Sequence, residues 1–121
     1  MKIIGLRLHG FFDYSYVVVY LASPSVLGFS GRPATISYVA AVLYFLGAGL
    51  TAAPFGIIKL QPIKTHLVVE IVYALATITF PWVFGFASDV PVRNFYVVMG
   101  IIPIVVGLLT DYKSAAPSAE R

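Results

Sequence analysis

Hydrophobic and polar positions alternate on a long scale in this chain. Four runs carry no charged residue, 14–31, 33–58, 71–88 and 94–110, and each is 17 to 26 residues long. At ~1.5 Å per helical residue, such runs can cross a hydrocarbon layer ~30 Å thick. The breaks between them are short and rich in turn formers: "FSGRP" (29–33), "PFGIIKLQPIK" (54–64) and "ASDVPVR" (87–93). The pattern predicts an all-α membrane protein with four transmembrane helices, at about 6–28, 33–53, 62–86 and 91–111, arranged as an up-down bundle. Proline at or near the start of the last three suits the first helical turn, where its missing N–H is not needed. A single domain fills 1–121. The amphipathic middle of 54–64 is expected along the membrane surface, and 112–121 reads as a small, polar, flexible tail.

The pattern repeats. A shift of 57 residues lays His9 on His66, Tyr16 on Tyr73, Pro24 on Pro81, Gly28 on Gly85 and Phe29 on Phe86. Arg7 then meets Lys64 and Asp13 meets Glu70, so charge is kept where identity is not. "GLT" (49–51) and "GLLT" (107–110) occupy similar places later in each half. Each repeat is thus a two-helix hairpin, about 6–53 and 62–111. Two helices return the chain to its starting side, so the hairpins share one orientation about an axis near the membrane normal.

Polar residues interrupt the apolar pattern in one place per repeat. His66, Glu70, Tyr73 and Thr77 are spaced 4, 3 and 4 apart, which keeps them on one helix face, and His9, Asp13, Tyr16 and Tyr20 do the same in the first helix. A carboxylate turned to lipid at that depth costs ~3 kcal/mol or more. Both stripes must therefore face inward, with the two helices as inner or diagonal partners in the bundle. Burial opposes charge on all four ionisable groups, while a close His–carboxylate pair favours it. The spacing pairs His9 with Asp13 and His66 with Glu70, each i to i+4.

A second motif closes the same helices. "SPSVLGFSG" (23–31) and "FPWVFGFAS" (80–88) resemble the SPW repeat of small prokaryotic membrane proteins, whose Ser-Pro-Trp motif lies in the first of two membrane helices. The first copy keeps Ser23 and Pro24, with Ser25 in place of tryptophan; the second keeps Pro81 and Trp82, with Phe80 in place of serine. The resemblance covers about 7–111 and implies a location in the inner membrane but no particular activity. Physically, Pro24 and Pro81 loosen the last turns of their helices. Gly28 and Gly85, four residues later, suit left-handed caps, and Trp82 suits an interfacial aromatic belt.

Composition adds limits. The chain is 60% hydrophobic and 11% charged, too little polar surface for a soluble domain of 121 residues. Three further runs follow the first, and no small-residue cleavage site closes it, so a signal peptide is not expected. There is no cysteine, which excludes disulfides and thiolate metal sites. The net charge is +3, but the basic residues edge the apolar runs, so they read as topology signals rather than a nucleic-acid surface. Lys2, Arg7, Lys59, Lys64, Lys113 and Arg121 fall on one side and Arg32 and Arg93 on the other. Both termini are therefore expected in the cytoplasm.

Four roles fit the His9–Asp13–His66–Glu70 stripe. It can clasp the hairpins as a structural or proton-responsive element, and a small non-enzymatic membrane module built on it is the working reading. It can carry a proton or ion pathway. It can bind zinc, iron or manganese, since two histidines and two carboxylates make a sensible ligand set, and a divalent metal is the only cofactor suggested. Enzymatic chemistry has no triad, phosphate loop or zinc-protease motif behind it. The expected partner is the lipid bilayer. Small residues four apart (Ser37/Ala41, Ala48/Ala52, Gly49/Ala53), with Gly100 and Gly107, mark close helix packing within the chain or in a homodimer. Arg32 and Asp89 hold equivalent outer-loop positions and could pair, though an exposed pair contributes little.

Overall fold

A computed structural model describes residues 2–115. It is all-helical: α1 (Leu6–Leu27), α2 (Gly31–Gly49), α3 (Ile63–Val83), α4 (Val90–Leu109) and a short 3-10 helix, Tyr112–Ala115. Each helix lies within a few residues of its expected bounds, and the largest difference is at the end of α2. There Leu50 and Thr51 leave the helix, and the chain from 50 to 61 folds back on itself. Within that connection Phe55 turns inward rather than lying on the surface, while Ile57, Ile58 and Leu60 stay exposed.

α1 packs chiefly on α2 and α3 on α4, with α1 against α4 and α2 against α3 closing the bundle. α1 and α3 are thus diagonal and meet through side chains at the centre. Gly100 makes the α3–α4 contact close, because a Cβ there would lie 2.7 Å from the Ala74 carbonyl oxygen. Ser37, Ala41 and Ala48 are likewise buried. The small residues of these faces are used inside the chain.

The proline motifs behave as equivalents. Gly28 (φ 71°) and Gly85 (φ 79°) are left-handed, a conformation glycine adopts without the Cβ penalty. Phe29 N–H donates to Pro24 O at 3.0 Å and Phe86 N–H to Pro81 O at 2.8 Å. Arg32 does not pair with Asp89. Its Nη1 instead donates to Phe84 O at 2.7 Å, because carbonyls left free at the end of α3 offer a nearer acceptor.

Two helices, α3 and α4, are long and apolar enough to cross a membrane by length and composition. α1 and α2 have similar lengths, 22 and 19 residues, but α1 spends positions on its polar stripe and α2 on serine, threonine and tyrosine. Four spanning helices are thus the expectation, and two are long and apolar enough to span. The tail expected to be flexible from 112 begins with an ordered turn, since Tyr112 packs on the His9 ring at 5.7 Å. Residues 116–121 lie outside the described residues.

Candidate functional site: a crossed histidine–carboxylate cluster

The polar stripes meet at the end of the bundle where α1 and α3 begin. His9 and Asp13 are fully buried, and His66 and Glu70 nearly so. The nearest contacts are not the expected i to i+4 pairs. His9 Nε2 lies 3.0 Å from Glu70 Oε1, and His66 Nε2 lies 3.0 Å from Asp13 Oδ2. Along each helix the separations are longer, 3.4 Å for His9–Asp13 and 3.6 Å for His66–Glu70. The pairing is crossed because the stripes face one another across the bundle diagonal, where each imidazole reaches the opposite carboxylate more directly than its own.

The other ring nitrogens cross as well. His9 Nδ1 meets Thr110 Oγ1 and His66 Nδ1 meets Thr51 Oγ1, both at 2.9 Å. Thr51 Oγ1 also donates to Gly47 O, and Thr110 Oγ1 donates to Val106 O at 2.6 Å. A hydroxyl has one proton, so a threonine that donates backwards must accept from the histidine. The Gly47 carbonyl, 3.3 Å from His66 Nδ1, can only accept and agrees with this. Nδ1 therefore carries hydrogen in both rings. A neutral imidazole would then present a bare Nε2 to a carboxylate oxygen, two acceptors at 3.0 Å. Such contacts persist only with positive charge between them, either a proton on each Nε2–oxygen line or one divalent cation shared by all four atoms.

Backbone pairing follows the same cross. Ile4 bridges Thr110 and Gln61 bridges Thr51, and Ile4 falls on Gln61 under the 57-residue shift. The start of each repeat is thus tied to the end of the other. Thr51 and Thr110, which hold the tautomers, are not singled out by the polar stripes; the signal for them is the shared "GLT" and "GLLT" ending.

Aromatic groups close the cluster. Phe55 packs at a tilt against His9 (5.9 Å) and His66 (5.6 Å), pinned by Tyr14 Oη–H donating to Phe55 O at 2.7 Å. Tyr112 covers His9. On the inner side Tyr16, Tyr44 and Tyr20 form a ladder, with centroids 5.1 Å and then 5.8 Å apart. Tyr16 and Tyr20, expected in the polar stripe, are buried there with hydroxyls that make no hydrogen bond among the described residues. Tyr73 joins the stack against Tyr44, and Thr77 Oγ1 donates to Tyr73 O. These four residues continue the stripe in space without extending its hydrogen-bonded network.

The proline-motif residues lie at the far end, apart from the cluster. Ser23 Oγ is 3.0 Å from Ser37 Oγ and bonds the Tyr20 carbonyl, while Trp82 is exposed. The sequence matches the family model described as the SPW repeat domain over residues 7–110. The chain belongs to the SPW repeat family. No curated protein and no solved structure matches it. Within this SPW protein the serine, prolines and glycines of the motif pack or cap helices, Trp82 stays exposed, and the His–carboxylate cluster gathers at the opposite end.

Proposed function

We propose that this SPW protein is a membrane-embedded module that binds one divalent transition-metal ion between its two repeats. The observation that carries the proposal is the crossed arrangement of His9 Nε2, Asp13 Oδ2, His66 Nε2 and Glu70 Oε1. These four atoms are separated by 3.0, 3.0, 3.4 and 3.6 Å along the four His–carboxylate edges. Four of the six edges are thus near the ~3.3 Å of a tetrahedron drawn with ~2.0 Å metal–ligand bonds. All four atoms lie within 4.8 Å of one another. Both histidines donate Nδ1–H to a fixed acceptor, the support that orients imidazole ligands in metal sites. With neutral rings the donor set carries a charge of −2, which one divalent ion balances. Mixed nitrogen and oxygen donors suit zinc, iron or manganese.

Membrane embedding is supported by the apolar outer surface of all four helices. Phe11, Val18, Val42, Val68 and Leu108 are each more than half exposed, and a water-facing bundle has little use for such a surface. The basic residues divide between the two ends, which supports cytoplasmic termini and a cluster near the cytoplasmic face. The aromatic ladder beyond the cluster favours a binding site over a path for ions: the Tyr16, Tyr20 and Tyr44 hydroxyls form no relay.

A second reading has its own support in the crossing. With two protons in place of the metal, the same four groups clasp the hairpins and fix their packing. Metal content of gently purified protein separates the two readings, measured beside a His9→Ala/His66→Ala variant made the same way. About one zinc, iron or manganese per chain, absent from the variant, is expected. No metal in the wild-type protein, and none taken up on dialysis against each ion, leaves the clasp alone.

A further inference from the structure

The two halves of the cluster are enclosed differently. Between α2 and α3 a cleft of about 150 Å³ runs in to His66 and Glu70, with Leu43, Tyr44, Gly47 and Val69 in its wall. The repeat explains why it exists. Thr51 and Thr110 correspond, so Gly47, whose carbonyl Thr51 bonds, corresponds to Val106, whose carbonyl Thr110 bonds. Val106 is buried, whereas a Cβ on Gly47 would meet nothing within 4 Å. Across the cleft, Val69 is 53% exposed where its counterpart Phe12 is partly buried against the core. Two small residues in one half leave open what two larger ones fill in the other.

Two of the residues that line the cleft, Glu70 and Tyr44, carry polar atoms without partners just behind its wall. Glu70 Oε2 is a buried acceptor and Tyr44 Oη a buried hydroxyl, and neither makes a hydrogen bond among the described residues. Buried polar atoms are nearly always paired, so an unpaired donor and acceptor on two residues lining one cleft call for a ligand group that, with a small turn of either side chain, answers both. A hydroxyl donates one bond and accepts another. The remaining wall is apolar and aromatic, with Tyr73 standing edge-on to Tyr44 at 5.6 Å.

We propose that the α2–α3 cleft is a binding subsite for a small hydroxylated aromatic molecule, a phenol or quinol headgroup. Its ring lies among Leu43, Tyr44 and Val69, and its hydroxyl donates to Glu70 Oε2 and accepts from Tyr44 Oη. The subsite deepens the metal reading, because it sets an exogenous hydroxyl beside a metal-binding carboxylate. It uses Glu70 Oε2 rather than Oε1, so it does not require the ion.

The test is a titration of 4-fluorophenol and, separately, fluorobenzene into purified protein in detergent. It is followed by 19F NMR against protein-free micelles, on chelator-stripped and zinc-loaded samples. Fluorophenol is expected to saturate one site per chain in both samples, about tenfold tighter than fluorobenzene, as two hydrogen bonds to the hydroxyl imply. Tyr44→Phe, which removes a hydroxyl with no partner of its own, should cut that preference several-fold. Gly47→Val and Val69→Phe, each copying the other repeat, should abolish binding of both compounds with unchanged circular dichroism. Val69→Phe alters an exposed position and stands as the test if Gly47→Val does not fold. Equal binding of the two compounds, or none beyond the micelle blank, overturns the proposal. So does binding undiminished in Val69→Phe. Saturation in the stripped sample with no zinc uptake would retain the subsite and remove the metal.

Discussion

The two halves of the cluster carry corresponding residues in unlike surroundings. His9 and Asp13 are sealed, with Phe55 and Tyr112 packed on the His9 ring; His66 and Glu70 stand at the head of a cleft. The difference comes from a few substitutions between the repeats. Gly10 admits Phe55, where its counterpart is Leu67; Gly47 stands for Val106, Val69 for Phe12, and Glu70 is one methylene longer than Asp13. Duplication supplied a near-symmetric ligand set, and small-for-large exchanges around it gave one half a sealed wall and the other an opening. If the cluster holds the proposed ion, both repeats supply ligands while access comes from one side only.

The largest effect should come from removing a sealed carboxylate. Asp13→Ala leaves His66 facing an empty wall and should destabilise the bundle by ~3–5 kcal/mol, the usual cost of breaking a buried pair from one side. Glu70→Ala should cost clearly less, since water can reach the orphaned His9 partner through the cleft. Reversible unfolding in mixed micelles measures both, and equal losses would break the comparison. Gly10→Ala comes next. Its Cβ would fall 2.2 Å from Phe55 Cβ, so Phe55 must leave, at a cost within the ~1–3 kcal/mol range for overpacking. The sealed half should then open, which faster amide exchange around His9 than around His66 would register.

Smaller effects sharpen the picture. Thr51→Val and Thr110→Val each strip the acceptor from an Nδ1–H, costing about 1 kcal/mol or somewhat more and about 10- to 100-fold in metal affinity. The Thr110 variant should lose more, because the Gly47 carbonyl still lies within reach of His66 Nδ1; isothermal titration with zinc ranks them. Tyr16→Phe should change stability by less than ~0.5 kcal/mol, because its hydroxyl has no partner to lose. Thermal unfolding in detergent checks that.

Much of the architecture was legible because it depends on period and spacing. Four apolar runs of helical length, the 57-residue shift and the glycine caps after Pro24 and Pro81 all have local causes. The cluster's membership was legible too, since a buried carboxylate must find company. Its wiring was not. The i, i+4 spacing points to His9–Asp13 and His66–Glu70, but whether a helix faces its own repeat or the other is decided by the bundle diagonal. Phe55 was hidden for a similar reason: a lone phenylalanine in a connecting loop shows no sign of being inserted, and only the Gly10 beneath it hints at the space. The possible Arg32–Asp89 pair does not form, because a helix-end carbonyl competes with an exposed carboxylate for a guanidinium.

The central claim is that His9, Asp13, His66 and Glu70 together ligate one divalent ion, and cobalt as a zinc surrogate tests it most directly. Metal-free protein in detergent would be titrated with Co²⁺ and followed by visible absorption. The expected result is a break at one ion per chain with the strong ligand-field bands of four-coordinate cobalt, and loss of those bands in both Asp13→Asn and Glu70→Gln. Weak bands of six-coordinate cobalt without a stoichiometric break, or an unchanged spectrum in either variant, would contradict it.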